Sequence, residues 1–123
     1  MLPITSMVAS LAAVALIAIS ISVSLRRMKV DTRIGFGSDE TLMRRIRAQG
    51  NFTEYVPLVL ILLGLAEYRG AATHWLWLVA GLLVAGRALH YAGIITGSTA
   101  IRAPGMIFTY SALLAGACIL AFA

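Results

Sequence analysis

Arg47, Asn51 and Glu54 stand four and three residues apart, so on a helix they share one face. Arg87 and His90 are three apart and share a face in the same way, and Arg102 stands two residues before Pro104. All six lie within or beside long apolar stretches. Charge in such surroundings is costly and by default marks a functional candidate. Several arginines set against one carboxylate make a cage for a carboxylate-bearing ligand, with Glu54 left to accept from an ammonium group. That balance suits a small zwitterionic peptide better than a phosphate or an ion. The chain has no phosphate-cradling glycine loop, no cysteine cluster and no paired histidine ligands. Nucleotide triphosphate and transition-metal chemistry therefore have no support, and no metal is expected.

Plainer readings stand beside this one. Glu54 could neutralise Arg87 as a structural ion pair within a helix bundle. Tyr55 and Tyr91 could be packing aromatics, and Arg44, Arg45 and Arg47 ordinary topogenic charges at the interface. Cys118, the single cysteine, can form no intrachain disulfide and reads as a small apolar filler.

The elements that must position these residues are membrane helices. Of 123 residues 60% are hydrophobic and only 12% charged, and mean hydropathy is +0.91. A soluble domain of this length needs far more surface charge. A spanning helix needs about 20 apolar residues, so the length accommodates four spans with short connections and no separate soluble domain. The predicted spans are about 2–25, 41–68, 73–97 and 105–123, in a single all-α, up-and-down four-helix membrane bundle. The first is too long for a signal peptide, and Arg26 and Arg27 follow it rather than precede it. Ser38 or Thr41 is the expected cap of the second helix, and Pro57 should kink it. Trp75 and Trp77 near the start of the third read as interfacial anchors. Two small-x-x-x-small pairs, Gly81/Ala85 and Ala112/Gly116, suit helix packing either within or between subunits.

The basic residues set the direction. Arg26, Arg27, Lys29, Arg33, Arg44, Arg45 and Arg47 cluster around the first connection, against Arg69 alone in the second. The positive-inside rule then places the first and third connections in the cytoplasm and both termini outside. The net charge of +5 is explained by this asymmetry rather than by nucleic-acid binding. The same topology brings Arg47, Asn51, Glu54, Arg87, His90 and Arg102 to similar depth near the cytoplasmic side.

The run Arg47-Ala48-Gln49-Gly50-Asn51-Phe52-Thr53-Glu54-Tyr55-Val56-Pro57 resembles the second-helix signature of the MAPEG family, the membrane-associated proteins in eicosanoid and glutathione metabolism. It is most similar to the leukotriene-forming and microsomal glutathione transferase branches. Arg87-Ala88-Leu89-His90 resembles the third-helix Arg-x-x-His of the prostaglandin-forming branch. Arg102-Ala103-Pro104 with Tyr110 resembles the family's entry into the fourth helix. The resemblance spans most of the chain, in order.

It implies a homotrimer in the lipid bilayer with three active sites between neighbouring subunits, with glutathione as cosubstrate bound from the cytoplasmic side and a hydrophobic small-molecule electrophile arriving from the membrane. A bacterial inner membrane, with the site facing the cytoplasm, is the expected setting. By analogy Arg47, Asn51, Glu54 and Tyr55 hold glutathione from one subunit, Arg87, His90, Tyr91 and Arg102 come from the same subunit or the next, and Lys29 lies where the family often has a basic residue near the glutathione carboxylate. Arg102 is the implied catalytic arginine, lowering the thiol pKa because a positive neighbour favours the ionised form. The prostaglandin-forming branch instead carries its arginine two residues after the proline, where this chain has Met106. The expected activity is glutathione transfer, with glutathione peroxidase chemistry as a companion. The competing expectations are a non-catalytic lipid-binding or accessory subunit and, with less in the sequence for it, a small transporter.

Overall fold

The computed structural model describes residues 1–122, which form four α-helices and no strand: α1 (Pro3–Val30), α2 (Glu40–Tyr68), α3 (Thr73–Thr96) and α4 (Thr99–Phe122). The expected end of the last span at residue 123 lies outside the described residues. Each helix is long and apolar enough to cross a membrane. The shortest have 24 residues, or about 36 Å at 1.5 Å per residue, against a hydrocarbon core of about 30 Å.

Consecutive helices run antiparallel and pack as neighbours, and α2 and α3 lie between α1 and α4, which do not touch. The fully buried centre is apolar: Val59 and Leu63 of α2, Val79 and Leu83 of α3, and Ala112 of α4. Outside it, large apolar side chains face away from the chain. In α1 only Ile4, Val8 and Val23 are buried, while Leu11, Val14, Ile17, Ile21 and Leu25 are exposed. In water such a surface would aggregate; in a bilayer it is solvated by acyl chains. The protein is membrane-embedded.

Polar contacts pin α1 to α2 at both ends. At one end the Glu67 carboxylate accepts from the α1 backbone N–H groups of Ile4 (3.0 Å) and Thr5 (2.8 Å). These donors have no partner within their own helix, and a carboxylate there also meets the positive end of the helix dipole. At the other end the Arg26 guanidinium donates two 2.9 Å bonds to Asp39. Nearby, Arg45 donates to the Ser22 carbonyl and Gln49 to the Ser20 hydroxyl.

Several boundaries differ from the expected ones. The first helix continues to Val30, so Arg26, Arg27 and Lys29 are helical and the connection shrinks to residues 31–39. Asp39, rather than Ser38 or Thr41, caps α2, accepting from the Leu42 N–H at 2.7 Å. The same Asp39 receives Arg26, so one side chain starts α2 and ties it to α1. The α2 helix runs unbroken through Pro57. The fourth helix starts at Thr99, six residues earlier than expected. Gly97 closes α3 in the left-handed conformation, and the Ser98 hydroxyl accepts from the Ile101 N–H. Two residues thus suffice for the turn, and Arg102 sits on a helix rather than in a loop.

Candidate functional site

The α3–α4 pair is built by glycine. A Cβ placed on Gly93 would lie under 3.0 Å from the backbone of Arg102, and one on Gly105 under 3.0 Å from the backbone of His90. At Gly86 it would stand 2.9 Å from the Gly105 carbonyl oxygen. The two backbones therefore touch directly, as small residues allow in membrane helices. The contact fixes Arg102 against the helical turn that carries His90. The hydroxyl of Thr109, buried in the same seam, is satisfied by the Gly105 carbonyl at 2.9 Å.

On one side of this seam, facing α2, lies a cleft of about 440 Å³. Arg47, Asn51 and Tyr55 enter it from α2, His90 from α3, and Arg102 and Tyr110 from α4. Its remaining walls are apolar and include Met106. The Tyr55 and Tyr110 rings meet edge to face, their centroids 5.7 Å apart. Among the described residues lining it, none is acidic, so two arginines give the cleft a net positive field. The Asn51 side-chain oxygen is buried without a hydrogen-bond partner, an acceptor left for a ligand donor or water.

The predicted residues thus divide. Arg47, Asn51, Tyr55, His90 and Arg102 surround the cleft. Glu54 stands beside it, more than half exposed, and meets Arg47 at 3.4 Å. The alternative ion pair between Glu54 and Arg87 does not form. Helical geometry explains this: Glu54 follows Arg47 by seven residues, two turns on the same stripe, whereas Arg87 packs beneath Phe52 on the neighbouring stripe. Arg87 and Tyr91 face a second cavity, on the α1 side of the bundle, whose wall they share with His90. Lys29, exposed at the end of α1, does not line the cleft, because α1 is separated from α4 by the two middle helices. Arg44 pairs with Glu40 at 2.7 Å and lies against the Gly97 turn.

His90 is 3% exposed and lines both cavities. Its Nδ1 lies 3.4 Å from an Arg87 guanidinium nitrogen. A guanidinium only donates, so the contact is a hydrogen bond in the tautomer that carries its proton on Nε2. Tyr110 was legible as part of the fourth-helix pattern, but its place opposite Tyr55 was not. Ile94, Ala103 and Ile107, also in the cleft wall, gave no signal, being apolar residues in an apolar segment.

The small-residue pairs also divide. Gly116 is buried against Leu62 of α2, where a Cβ would stand 3.0 Å from the leucine Cβ. Gly81 has nothing near its missing side chain and is exposed with Ala85, so that pair takes no part in packing within the chain. Cys118 is exposed on the bundle surface.

The cleft can bind an anionic, hydrogen-bonding ligand and hold a developing negative charge beside Arg102 or Arg47. A sequence profile described as the MAPEG family matches residues 5–122. The inner membrane protein YecN of Escherichia coli (strain K12) is 35% identical over 112 residues, which cover 90% of this chain and 85% of that protein. The YecN of E. coli O6:H1 (strain CFT073) matches over the same extent with the same identity.

Proposed function

The chain belongs to the MAPEG family, and we propose on that premise that it is a membrane-bound glutathione transferase. The observation that carries the reading is the acid-free cleft in which α2, α3 and α4 converge Arg47, Asn51, Tyr55, His90 and Arg102. Glutathione has two carboxylates and one ammonium, so a positive cleft with an acid at its rim matches its charge. Arg47 takes a carboxylate, Asn51 and His90 serve the peptide groups, and Glu54 at the rim accepts from the ammonium. Arg102 faces the thiol. Its charge favours the thiolate, whose proton leaves to water in the open cleft. A sulfur lone pair then forms a carbon–sulfur bond with a hydrophobic electrophile that arrives through the bilayer, as the electrophile's carbon–leaving-group bond (or the carbon–oxygen bond of an epoxide) breaks with its electron pair and the departing anion takes a proton from water. With a hydroperoxide as the electrophile, the thiolate attacks the terminal peroxide oxygen, the oxygen–oxygen bond breaks, the alkoxide takes a proton from water and leaves as the alcohol, and a second glutathione converts the sulfenic acid to glutathione disulfide and water.

We place the protein in a bacterial inner membrane as a homotrimer. The relative's name supports the location and the family resemblance the assembly. Orientation with the first connection and the cleft mouth in the cytoplasm follows from the seven basic residues at that end. Met106, in the cleft where another branch carries its arginine, favours one second reading, a non-catalytic lipid-binding or accessory subunit. The test is the ultraviolet absorbance of glutathione thiolate on adding glutathione to the purified protein. A signal in the parent that vanishes in Arg102→Ala is the expected result. No signal in the parent overturns the transferase reading in favour of the accessory one.

A further inference from the structure

The signature run of α2 contains a polar residue that the cleft does not use. Gln49 stands between Arg47 and Asn51 in sequence, yet its side-chain amide donates to the Ser20 hydroxyl of α1 at 2.9 Å. One turn earlier, Arg45 donates to the Ser22 carbonyl of α1 at 3.1 Å. Neither Arg45 nor Gln49 lines the cleft. At 3.6 residues per turn, Arg45 and Gln49 share one side of α2, and Arg47 and Asn51 point about 160° away from it. The contacts to α1 therefore sit on the back of the helix whose front forms the cleft wall.

They also come where apolar packing of α1 is thin. Between Val8 and Val23 none of the described α1 residues is buried within the chain, a stretch of about 22 Å at 1.5 Å per residue. Leu42, Ala48 and Phe52 hold this half of α2 in the core, but apolar contact has no direction of its own. A hydrogen bond does, because it weakens steeply when its angle or length changes. On the front, α2 borders the open volume of the cleft, so what resists turning there is on its back. Both partners of each bond belong to one chain, so the latch is complete within a subunit whatever the assembly.

We propose that Gln49 is a positioning residue: latched to Ser20 of α1 and seconded by Arg45, it keeps α2 turned so that Arg47 and Asn51 face the cleft. A side-chain tip lies about 5–6 Å from the helix axis, so a turn of about 20° moves it by about 2 Å. A misplacement of about 1 Å can already cost on the order of 100-fold in a reaction that depends on orientation. The latch gives α1 a role in a site whose walls it does not share. The effect on glutathione rests on the transferase reading; the effect on the geometry of the cleft does not.

The test is a double-mutant cycle on the full-length protein in detergent micelles, read first by titrating glutathione and following thiolate absorbance. Ser20 lines neither cavity, so it can act on the cleft only through Gln49. Gln49→Leu and Ser20→Ala should each weaken glutathione about threefold or more, the scale of one hydrogen bond between membrane helices. The double variant should be no worse than either single one. Ser20→Thr keeps the hydroxyl and should match the parent, as should Glu67→Ala, which loosens α1 at its far end only. Loss in Gln49→Leu with none in Ser20→Ala makes Gln49 a direct ligand and overturns the proposal. Additive losses, or no loss in either, overturn it too. If Gln49→Leu does not fold, Ser20→Ala set against Ser20→Thr decides. The second measurement needs no glutathione: alkylation of Asn51→Cys by a water-soluble maleimide, in protein that also carries Cys118→Ala. The Asn51 side-chain oxygen is buried, so release of the latch by Ser20→Ala should speed alkylation about threefold or more, and Ser20→Thr should not. An unchanged rate overturns the latch. A parent that alkylates as expected but gives no thiolate signal fails the transferase reading alone.

Discussion

Gly93 of α3 lies directly against the backbone of Arg102 on α4, with no room for a methyl group between them. This one contact sets how far the α4 arginine projects into the cleft. Gly93→Ala must therefore push the helices apart or shift Arg102. We expect a loss of about 1–3 kcal/mol, the usual cost of overpacking, and a weaker glutathione thiolate signal. Gly81→Ala, where a Cβ meets nothing, is the matched control and should be neutral or up to about 1 kcal/mol stabilising through helix propensity. Thermal unfolding in detergent together with the absorbance measurement checks both.

Glu54 meets Arg47 at 3.4 Å with both side chains more than half exposed. Exposed pairs contribute only about 0–1 kcal/mol, so Glu54→Gln should leave the fold and any oligomer intact. If Glu54 receives the ligand's ammonium, the variant should bind glutathione more weakly while an analogue lacking the amino group is unaffected. Equal weakening for both ligands would remove Glu54 from that role, and dissociation of the oligomer would make it structural.

The capping of α1 by Glu67 predicts a stability effect far from the cleft. Glu67→Ala leaves the Ile4 and Thr5 N–H groups without their acceptor. The expected loss is about 1 kcal/mol, as for other helix-start caps, with amide exchange rising first in residues 3–8. Thiolate formation should be unchanged.

Asp39 predicts an acid dependence. The hydrogen bond from Arg26 and, next, that from the Leu42 N–H hold its carboxyl down to about 2, below the ordinary 3.8. The folded state thus favours the ionised form, so this contribution is present above about pH 4 and is lost as pH falls through about 2. Between pH 5 and 2 the thermal midpoint of the parent should fall more steeply than that of Asp39→Asn. Parallel curves would show that the Arg26–Asp39 link does not contribute.

Much of this protein is decided by its sequence. Runs of about 20 apolar residues admit only helices, because lipid offers no partner to an open backbone. The charge asymmetry around residues 26–47 supports a direction, and the motif in residues 47–57 is specific enough to indicate the family. Helix termini were less legible: Arg26, Arg27 and Lys29 look like loop residues until Asp39 is seen to receive Arg26 and let α1 continue. What only the tertiary structure decided is which cavity each polar residue serves. Arg47 and Arg87 are alike in type and similar in depth, yet they face opposite sides of the bundle. Spacing along a helix gives the angle between side chains on that helix alone. The rotation of each helix against its neighbours comes from where the backbones touch, here at Gly86, Gly93 and Gly105.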